Sequence, residues 1–117
     1  MASSHRDLVV WRKAMDMAVQ VYRLTDRFPR HEMYRLTSQL TRAAASVPAN
    51  IAEGNGRGSR RDYAHFLAVA KGSLNETETF LFLAIRLSYL REQETAPTLD
   101  LITEVGKMLT TLRSRLV

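Results

Sequence analysis

The sequence contains no cysteine, and this absence excludes several classes of protein at once. Without thiols there is no disulfide, no thiolate zinc site, no iron–sulfur cluster and no cysteine nucleophile. Long apolar runs are missing too, because no stretch approaches the roughly 20 apolar residues that span a bilayer. The amino terminus also lacks the apolar segment of a secretory signal. We therefore expect no membrane contact and a cytoplasmic location.

Sequence signatures of catalysis are equally scarce. The chain has no Glu-x-x-His motif, which di-metal four-helix bundles use, and Asp62-x-x-His65 is the one acid–histidine pair at that spacing. No Gly-x-Ser-x-Gly motif is present. The glycine-rich segment 54–58 lacks the Gly-Lys-Ser/Thr of a nucleoside-triphosphate loop and the third glycine of a dinucleotide fingerprint. We expect no enzymatic activity, no metal and no cofactor.

Apolar residues at helical spacing are what the sequence does contain. A chain of 117 residues with 45% hydrophobic residues fits one domain, residues 1–117. Pro48 predicts a kink within the second helix, and Ser59 and Asp62 form a capping box that begins the third. The pattern predicts four helices, at about 7–26, 32–54, 59–90 and 96–115. Short connections between them predict an all-α fold, an antiparallel up-down-up-down four-helix bundle with a long third helix.

Several polar residues occupy positions where the second and third helices should contribute to the core. Buried polar groups must be paired, so we predict that these residues face one another in a structural polar layer. They are Gln39, Ser46, Asn50, Glu53, Ser73 and Glu76. A glycine in mid-helix costs about 1 kcal/mol relative to alanine, so Gly72 indicates a close helix–helix approach. A ligand site is the alternative to the structural layer.

The stretch Thr79–Ile85 of the third helix is apolar on every face. One neighbouring helix cannot cover such a segment, and an exposed apolar patch of this kind usually marks a subunit interface. We therefore predict that the protein associates with itself through Phe80, Phe82 and Leu83.

Basic residues outnumber acidic ones by 17 to 12, which gives a net charge of +5, and the excess lies within residues 1–71. This distribution is typical of proteins that bind polyanions. Three of the arginines lie near the positive N-terminal end of the third helix, where a backbone phosphate is favoured. The predicted nucleic-acid surface consists of Arg12, Lys13, Arg57, Arg60, Arg61 and Lys71. A solvated helix face is the alternative for each of them.

Four segments within residues 6–90 carry a family resemblance, and the run Ser-x-Pro-x-Asn-Ile-Ala-Glu-Gly is the most specific of them. The segments are Arg6–Trp11, Leu36–Ala44, Ser46–Gly54 and Gly72–Glu76. They resemble the bacterial four-helix-bundle proteins that are encoded in intervening sequences of large-subunit (23S) ribosomal RNA genes. The sequence departs from that pattern at Thr41, where many relatives carry a basic residue, and at Ala49, where many carry serine.

The resemblance implies a four-helix bundle. Through similarity to the accessory variability protein of diversity-generating retroelements, it also implies a ring-shaped homopentamer whose basic surface engages nucleic acid and a reverse transcriptase. Two functions stay open at this point. The first is a non-enzymatic oligomeric accessory protein that contacts RNA or DNA backbone, and the alternative is a protein-binding scaffold without affinity for nucleic acid. Binding that weakens steeply with salt would distinguish the first from the second.

Overall fold

The computed structural model describes residues 4–117, so the first three residues of the predicted domain lie outside the described part. Short 3-10 helices at His5–Asp7 and Arg30–Glu32 precede the first and second α-helices. The four α-helices are α1 (Val9–Thr25), α2 (Leu36–Asn55), α3 (Arg60–Arg86) and α4 (Glu92–Ser114). Residues 4–117 contain no strand, which confirms the all-α fold.

Each helix packs against the next along the chain, and α4 closes the bundle against α1. Between α2 and α3, Ser46 contacts Ser73 and Asn55 contacts Tyr63, so these helices run antiparallel. Side-chain contacts of α4 with α1 and with α3 show the same antiparallel order. The result is the predicted four-helix bundle, with principal extents of 43 × 26 × 21 Å. No helix in the described part of the chain is long and apolar enough to cross a membrane.

The apolar core draws large, fully buried side chains from all four helices. Burial of one such side chain stabilises the fold by about 1.5–3 kcal/mol, so this core supplies the main driving force for folding. Its largest members are Met17, Leu40, Ile51, Leu67, Leu74, Leu81 and Leu109. These are all positions that the helical period of apolar residues marks in the sequence.

The second helix continues through Pro48, as predicted, but it begins at Leu36 rather than at Glu32. Residues 30–32 form a 3-10 turn instead. The Glu32 carboxylate accepts a hydrogen bond from the Leu36 N–H at 3.3 Å and so satisfies a free donor at the start of α2. The prediction was wrong by about one turn because Glu32 lies before the helix and contacts its first residue.

The third helix ends at Arg86, four residues before the predicted end. Ser88 adopts a positive φ of 64°, and the Tyr89 N–H donates to the Ala84 carbonyl at 2.9 Å. This is the Schellman arrangement that terminates many helices, usually with glycine at the left-handed position. The predicted end was wrong because serine occupies that position here.

The fourth helix begins at Glu92 rather than at residue 96, so Pro97 lies inside it. The Glu94 carboxylate accepts a hydrogen bond from the Arg91 backbone N–H at 2.7 Å, which is one half of a capping box. At the start of α3 the serine half of the predicted capping box is confirmed, because the Ser59 hydroxyl accepts from the Asp62 N–H at 3.1 Å.

Helices α2 and α3 approach closely at Gly54 and not at Gly72. A Cβ atom at Gly54 would lie 2.8 Å from the Phe66 Cβ and 3.1 Å from the Tyr63 Cδ1. Gly72 is exposed, and a Cβ atom there would meet nothing within 4 Å. The prediction for Gly72 was wrong because this residue lies on the outward face of α3.

Candidate nucleic-acid interface

The antiparallel topology brings one set of helix termini together: the N-termini of α1 and α3 and the C-termini of α2 and α4. We call this end of the bundle, formed by residues 5–12, 53–65 and 113–117, the arginine-rich end. Its arginines are Arg6, Arg12, Arg57, Arg60, Arg61, Arg113 and Arg115, and its acidic residues are Asp7, Glu53 and Asp62. Seven guanidinium groups against three carboxylates give this end a strong positive potential.

Arg57 is oriented by two contacts within the arginine-rich end. Its Nε lies 3.0 Å from Oε2 of Glu53, and its guanidinium carbon lies 4.9 Å from the centre of the Phe66 ring. The ion pair is half exposed, so it contributes only about 0–1 kcal/mol and yields readily to a phosphate. The Cβ atom of Phe66 lies close to Gly54 of α2, so the ring that Arg57 contacts is attached at the close approach of α2 and α3.

Arg60 and Arg113 join the start of α3 to the end of α4. Arg60 Nη2 donates to the Arg115 carbonyl at 2.5 Å, and Arg113 Nε donates to the Ala64 carbonyl at 3.2 Å. The first bond satisfies a carbonyl at the negative end of α4, where a cation is favoured. Together these bonds hold Arg115 beside the N-terminus of α3.

Arg113 and Arg115 are absent from the predicted surface because charge counted along the chain hides them: residues 72–117 carry one more acid than base. The predicted antiparallel bundle already places the end of α4 beside the start of α3. Grouping the charges by bundle end would therefore have found both arginines.

The side chains of Arg12 and Arg61 are exposed and make no hydrogen bond or ion pair with any residue of the described part. Their guanidinium groups are free to contact a phosphate without first breaking an internal bond. Arg61 also lies in the first turn of α3, whose backbone N–H groups favour anions.

The two predicted lysines are engaged elsewhere. Lys13 Nζ lies 2.6 Å from Oε1 of Glu104, and Lys71 Nζ donates to the Thr110 hydroxyl at 3.3 Å. Both side chains are bound to α4, along the side of the bundle. Of the six predicted residues, the structure therefore brings together Arg12, Arg57, Arg60 and Arg61, and it places Lys13 and Lys71 apart from them.

Four residues of the predicted polar layer line one groove between α2 and α3. The groove has a volume of about 270 Å³, and its lining residues are Gln39, Arg42, Ala43, Ser46, Ser73, Glu76 and Phe80. The Ser46 and Ser73 hydroxyls lie 3.0 Å apart, and Asn50 Nδ2 donates to the Ser46 hydroxyl at 2.8 Å. These polar groups do face one another across the two helices.

The predicted layer is not buried, however. Gln39, Glu53 and Glu76 are exposed, Asn50 is half-buried, and Ser73 is buried. The prediction of a core position was wrong for the three exposed residues because they lie where the α2–α3 contact meets solvent. What forms is a surface groove whose floor is a short chain of hydrogen bonds.

Two separate apolar surfaces are exposed on the chain. The first lies on α3, where Phe82 and Leu83 are 48% and 43% exposed, whereas Phe80 is half-buried against the core. The second is a groove of about 660 Å³ between α1 and α2, in which large side chains of α1 such as Trp11 and Tyr22 face alanines of α2. The surface on α3 was predicted from the sequence, and the groove between α1 and α2 was not.

At the opposite end of the bundle, a buried carboxylate links two connecting segments. Glu32, 6% exposed, accepts a hydrogen bond from the Tyr89 hydroxyl at 2.7 Å, and Arg35 Nε lies 3.8 Å from it. The Tyr89 hydrogen bond lowers the pKa of Glu32 below its usual value, and the same bond raises the pKa of Tyr89. This pair fixes the α1–α2 connection to the α3–α4 connection. No pattern in the sequence predicted the Glu32–Tyr89 pair.

Within the part of the chain that the structure describes, no group of three or more histidine, aspartate and glutamate residues is placed to hold a metal ion.

Comparison with known proteins identifies a family and several similar solved structures. The sequence model of the 23S rRNA-intervening sequence protein family matches residues 6–111. A crystal structure at 1.70 Å resolution, of a protein with unknown function from the S23 ribosomal protein family of Bacteroides thetaiotaomicron VPI-5482, is 29% identical. It superposes with a TM-score of 0.80 and covers 90% of this chain and 98% of its own. No curated protein sequence matches this chain.

Proposed function

Because the chain belongs to the 23S rRNA-intervening sequence protein family, we propose that it is a non-enzymatic accessory protein that binds nucleic acid through its arginine-rich end. The observation that carries this proposal is the gathering of seven arginines from three parts of the chain at one end of the bundle. Three acidic residues balance less than half of that charge.

The chemistry of this end favours contact with backbone phosphates over reading of base sequence. Guanidinium groups bind phosphate oxygens in a bidentate manner, and the start of α3 adds a favourable helix dipole. The aromatic side chains among or beside these arginines in residues 4–117 are Trp11, Tyr63 and Phe66, and all three are half-buried. Trp11 lines the groove between α1 and α2, and Tyr63 and Phe66 pack at the α2–α3 contact. We therefore expect affinity that comes from summed phosphate contacts and the release of counterions.

Self-association is part of the proposal. The exposed apolar residues Phe82 and Leu83 support a contact with further copies, and the family resemblance implies a homopentameric ring. In a ring, one nucleic-acid strand can contact several arginine-rich ends at once. The apparent affinity is then higher than that of a single copy, without any new kind of contact. By the same resemblance, a reverse transcriptase is a proposed protein partner. The proposal places the protein in the cytoplasm.

A pair of charge-matched variants tests the proposal. We expect Arg61→Gln with Arg115→Gln to weaken binding to a structured RNA and to a DNA duplex, measured by fluorescence anisotropy between about 50 and 200 mM salt. If both arginines contact phosphate, the slope of log K against log salt on the duplex should fall by about 1.8. The matched control is Arg30→Gln with Arg86→Gln, which removes the same charge at the opposite end from two exposed residues.

Equal weakening in the control pair would mean that net charge, not the arginine-rich end, governs binding. If the wild-type protein binds neither nucleic acid at about 50 mM salt, the second candidate, a protein-binding scaffold, is favoured. That candidate is supported by the two exposed apolar surfaces on α3 and between α1 and α2. Retained salt-dependent binding of the wild type, lost only in the first pair, would support the proposal.

A further inference from the structure

The groove between α2 and α3 presents polar side chains that the fold itself does not use. Gln39, Arg42 and Glu76 line it, and the side chains of all three are exposed and make no hydrogen bond or ion pair in the described part of the chain. Arg42 and Glu76 carry opposite charges on facing helices, yet their side chains form no salt bridge with each other. The groove therefore offers a free cation and a free carboxylate to something outside the chain.

Gly72 adds an independent indication of an external occupant. It lies one helical turn before Glu76 on α3, is exposed, and would place a Cβ atom in open space. Glycine within a helix is destabilising, and no close packing within this chain requires the absence of a side chain at Gly72. A bare stretch of backbone beside the groove leaves room for a ligand to approach α3 closely.

We propose that this groove binds a single unpaired guanine base, on an RNA strand whose phosphates are held at the arginine-rich end. This inference rests on the proposed function. Proteins that read RNA sequence mostly bind unpaired bases, through hydrogen bonds to their Watson–Crick and Hoogsteen edges. The groove volume of about 270 Å³ lies below the range of roughly 300–1,000 Å³ for drug-sized ligands, so it suits one base.

The donors and acceptors of the groove match guanine. Arginine binds the O6 and N7 acceptors of guanine in a bidentate manner. Arg42 is the arginine of the groove that would make this contact. The two oxygens of Glu76 accept from the N1–H and the N2 amino group, which lie side by side on the Watson–Crick edge. Phe80 supplies an aromatic wall, and the Ser46–Ser73 pair closes the floor. Uracil and adenine lack two adjacent donors, so the carboxylate discriminates against both.

The groove and the arginine-rich end lie along one pair of helices. Thirteen residues of α2 separate Arg42 from Asn55, the last residue of the helix, which is about 20 Å at 1.5 Å per residue. Roughly six nucleotides cover that distance at about 3.4 Å each. One short strand can therefore contact both places at once.

The test compares single-stranded RNAs of about twelve nucleotides that differ at one central position. We expect an oligouridine with one guanosine to bind about tenfold more tightly than the all-uridine strand, by fluorescence anisotropy at low salt. Inosine, which lacks the N2 amino group, should lose part of this preference. Glu76→Gln should abolish the preference while all-uridine binding persists, because the phosphate contacts are untouched. The matched control Glu78→Gln removes the same charge from the side of α3 that faces α4.

Gly72→Ala distinguishes a role of Gly72 in ligand binding from a role in the fold, because base preference and thermal stability are measured on the same variant. If the bare backbone serves the ligand, this variant should lower the guanosine preference while raising the thermal stability of the protein. Equal affinity for the guanosine and all-uridine strands would overturn this inference and leave the proposed function standing. Failure to bind either strand would overturn this inference, and the measurements on structured RNA and duplex DNA would then decide the proposed function separately. A change of solution mass in Glu76→Gln, with base preference unchanged, would assign the groove to a subunit contact and also overturn it.

Discussion

At the scale of single residues, Glu32 shows how a buried carboxylate becomes part of the fold. Its two oxygens accept hydrogen bonds from the Tyr89 hydroxyl at 2.7 Å and from the Leu36 N–H at 3.3 Å. Arg35 and His31 lie nearby and add positive charge when protonated. The charged form is therefore favoured in the folded protein, and the hydrogen bond that favours it also fastens the two connections at that end of the bundle.

The first prediction is that this pair makes stability depend on pH. The pKa of Glu32 is lowered in the folded state, chiefly by the Tyr89 hydrogen bond. Its contribution should be fully present above the ordinary glutamate pKa of about 4.3 and be lost as pH falls through the lower folded value. The pKa of Tyr89 is raised, so the same contribution should be lost again in strong alkali, as pH rises above about 10.

Urea unfolding at a series of pH values measures this effect. We expect Glu32→Gln to be less stable than the wild type at neutral pH and to lose less stability on acidification. Tyr89→Phe should weaken the acid sensitivity in the same direction, because it removes the main cause of the lowered pKa. Asp100→Asn is the control, since Asp100 is exposed and has no partner in the described part of the chain. Identical pH profiles for the wild type and Glu32→Gln would contradict the prediction.

At the scale of helices, the contact between α2 and α3 depends on the absence of a side chain at Gly54. A Cβ atom there would lie 2.8 Å from the Phe66 Cβ, which is fixed by its own backbone and cannot move aside. Gly54→Ala should therefore force the two helices apart and destabilise the protein by about 1–3 kcal/mol, the usual cost of overpacking. Gly72→Ala is the matched control, where open space should allow a gain of about 0.5–1 kcal/mol.

Opposite signs for these two glycines, in urea unfolding followed by circular dichroism, are the expected result. A gain of stability in Gly54→Ala would show that helix propensity outweighs the crowding at Phe66. The Arg57 guanidinium stacks on the same ring, so we also expect Gly54→Ala to disturb the arginine-rich end.

The existence of all four helices follows from the sequence, because apolar residues at helical spacing must be buried together. The ends of the helices are predicted less accurately, because they depend on single side chains in unusual roles. Ser88 takes the left-handed position at the end of α3 without being glycine, and Glu32 contacts the first turn of α2 from outside it. Neither role is visible in composition or periodicity.

The predicted part of the candidate site consists mostly of residues that are close in sequence. Arg57, Arg60 and Arg61 lie within five residues of one another, whereas Arg115 reaches them only through the bond of its carbonyl to Arg60. The engagement of Lys13 by Glu104 likewise depends on the packing of α1 against α4. Sequence reasoning identified the cluster within one turn, and the fold determined its true extent.

At the scale of the whole molecule, two exposed apolar surfaces on different helices bear on self-association. One is the patch of Phe82 and Leu83 on α3 with Leu87 just after it, and the other is the groove between α1 and α2. A ring needs two different surfaces that fit each other, because each copy contacts one neighbour on each side. The chain exposes two different apolar surfaces, and the ring that we propose would use one of them on each side of every copy.

Phe82→Glu tests this arrangement. Phe82 is 48% exposed in the single chain, so a glutamate there should be tolerated by the monomer. In a subunit contact the same carboxylate would be buried without a partner, which is costly. We therefore expect the mass in light scattering to fall towards 13.3 kDa, that of one chain, with helical content unchanged. Tyr34→Glu is the control, because Tyr34 is 90% exposed and belongs to the α1–α2 connection rather than to the patch. An assembly that keeps its mass in Phe82→Glu would show that the α3 patch is not the contact, and an assembly that dissociates equally in both variants would show that added negative charge is enough to separate the copies.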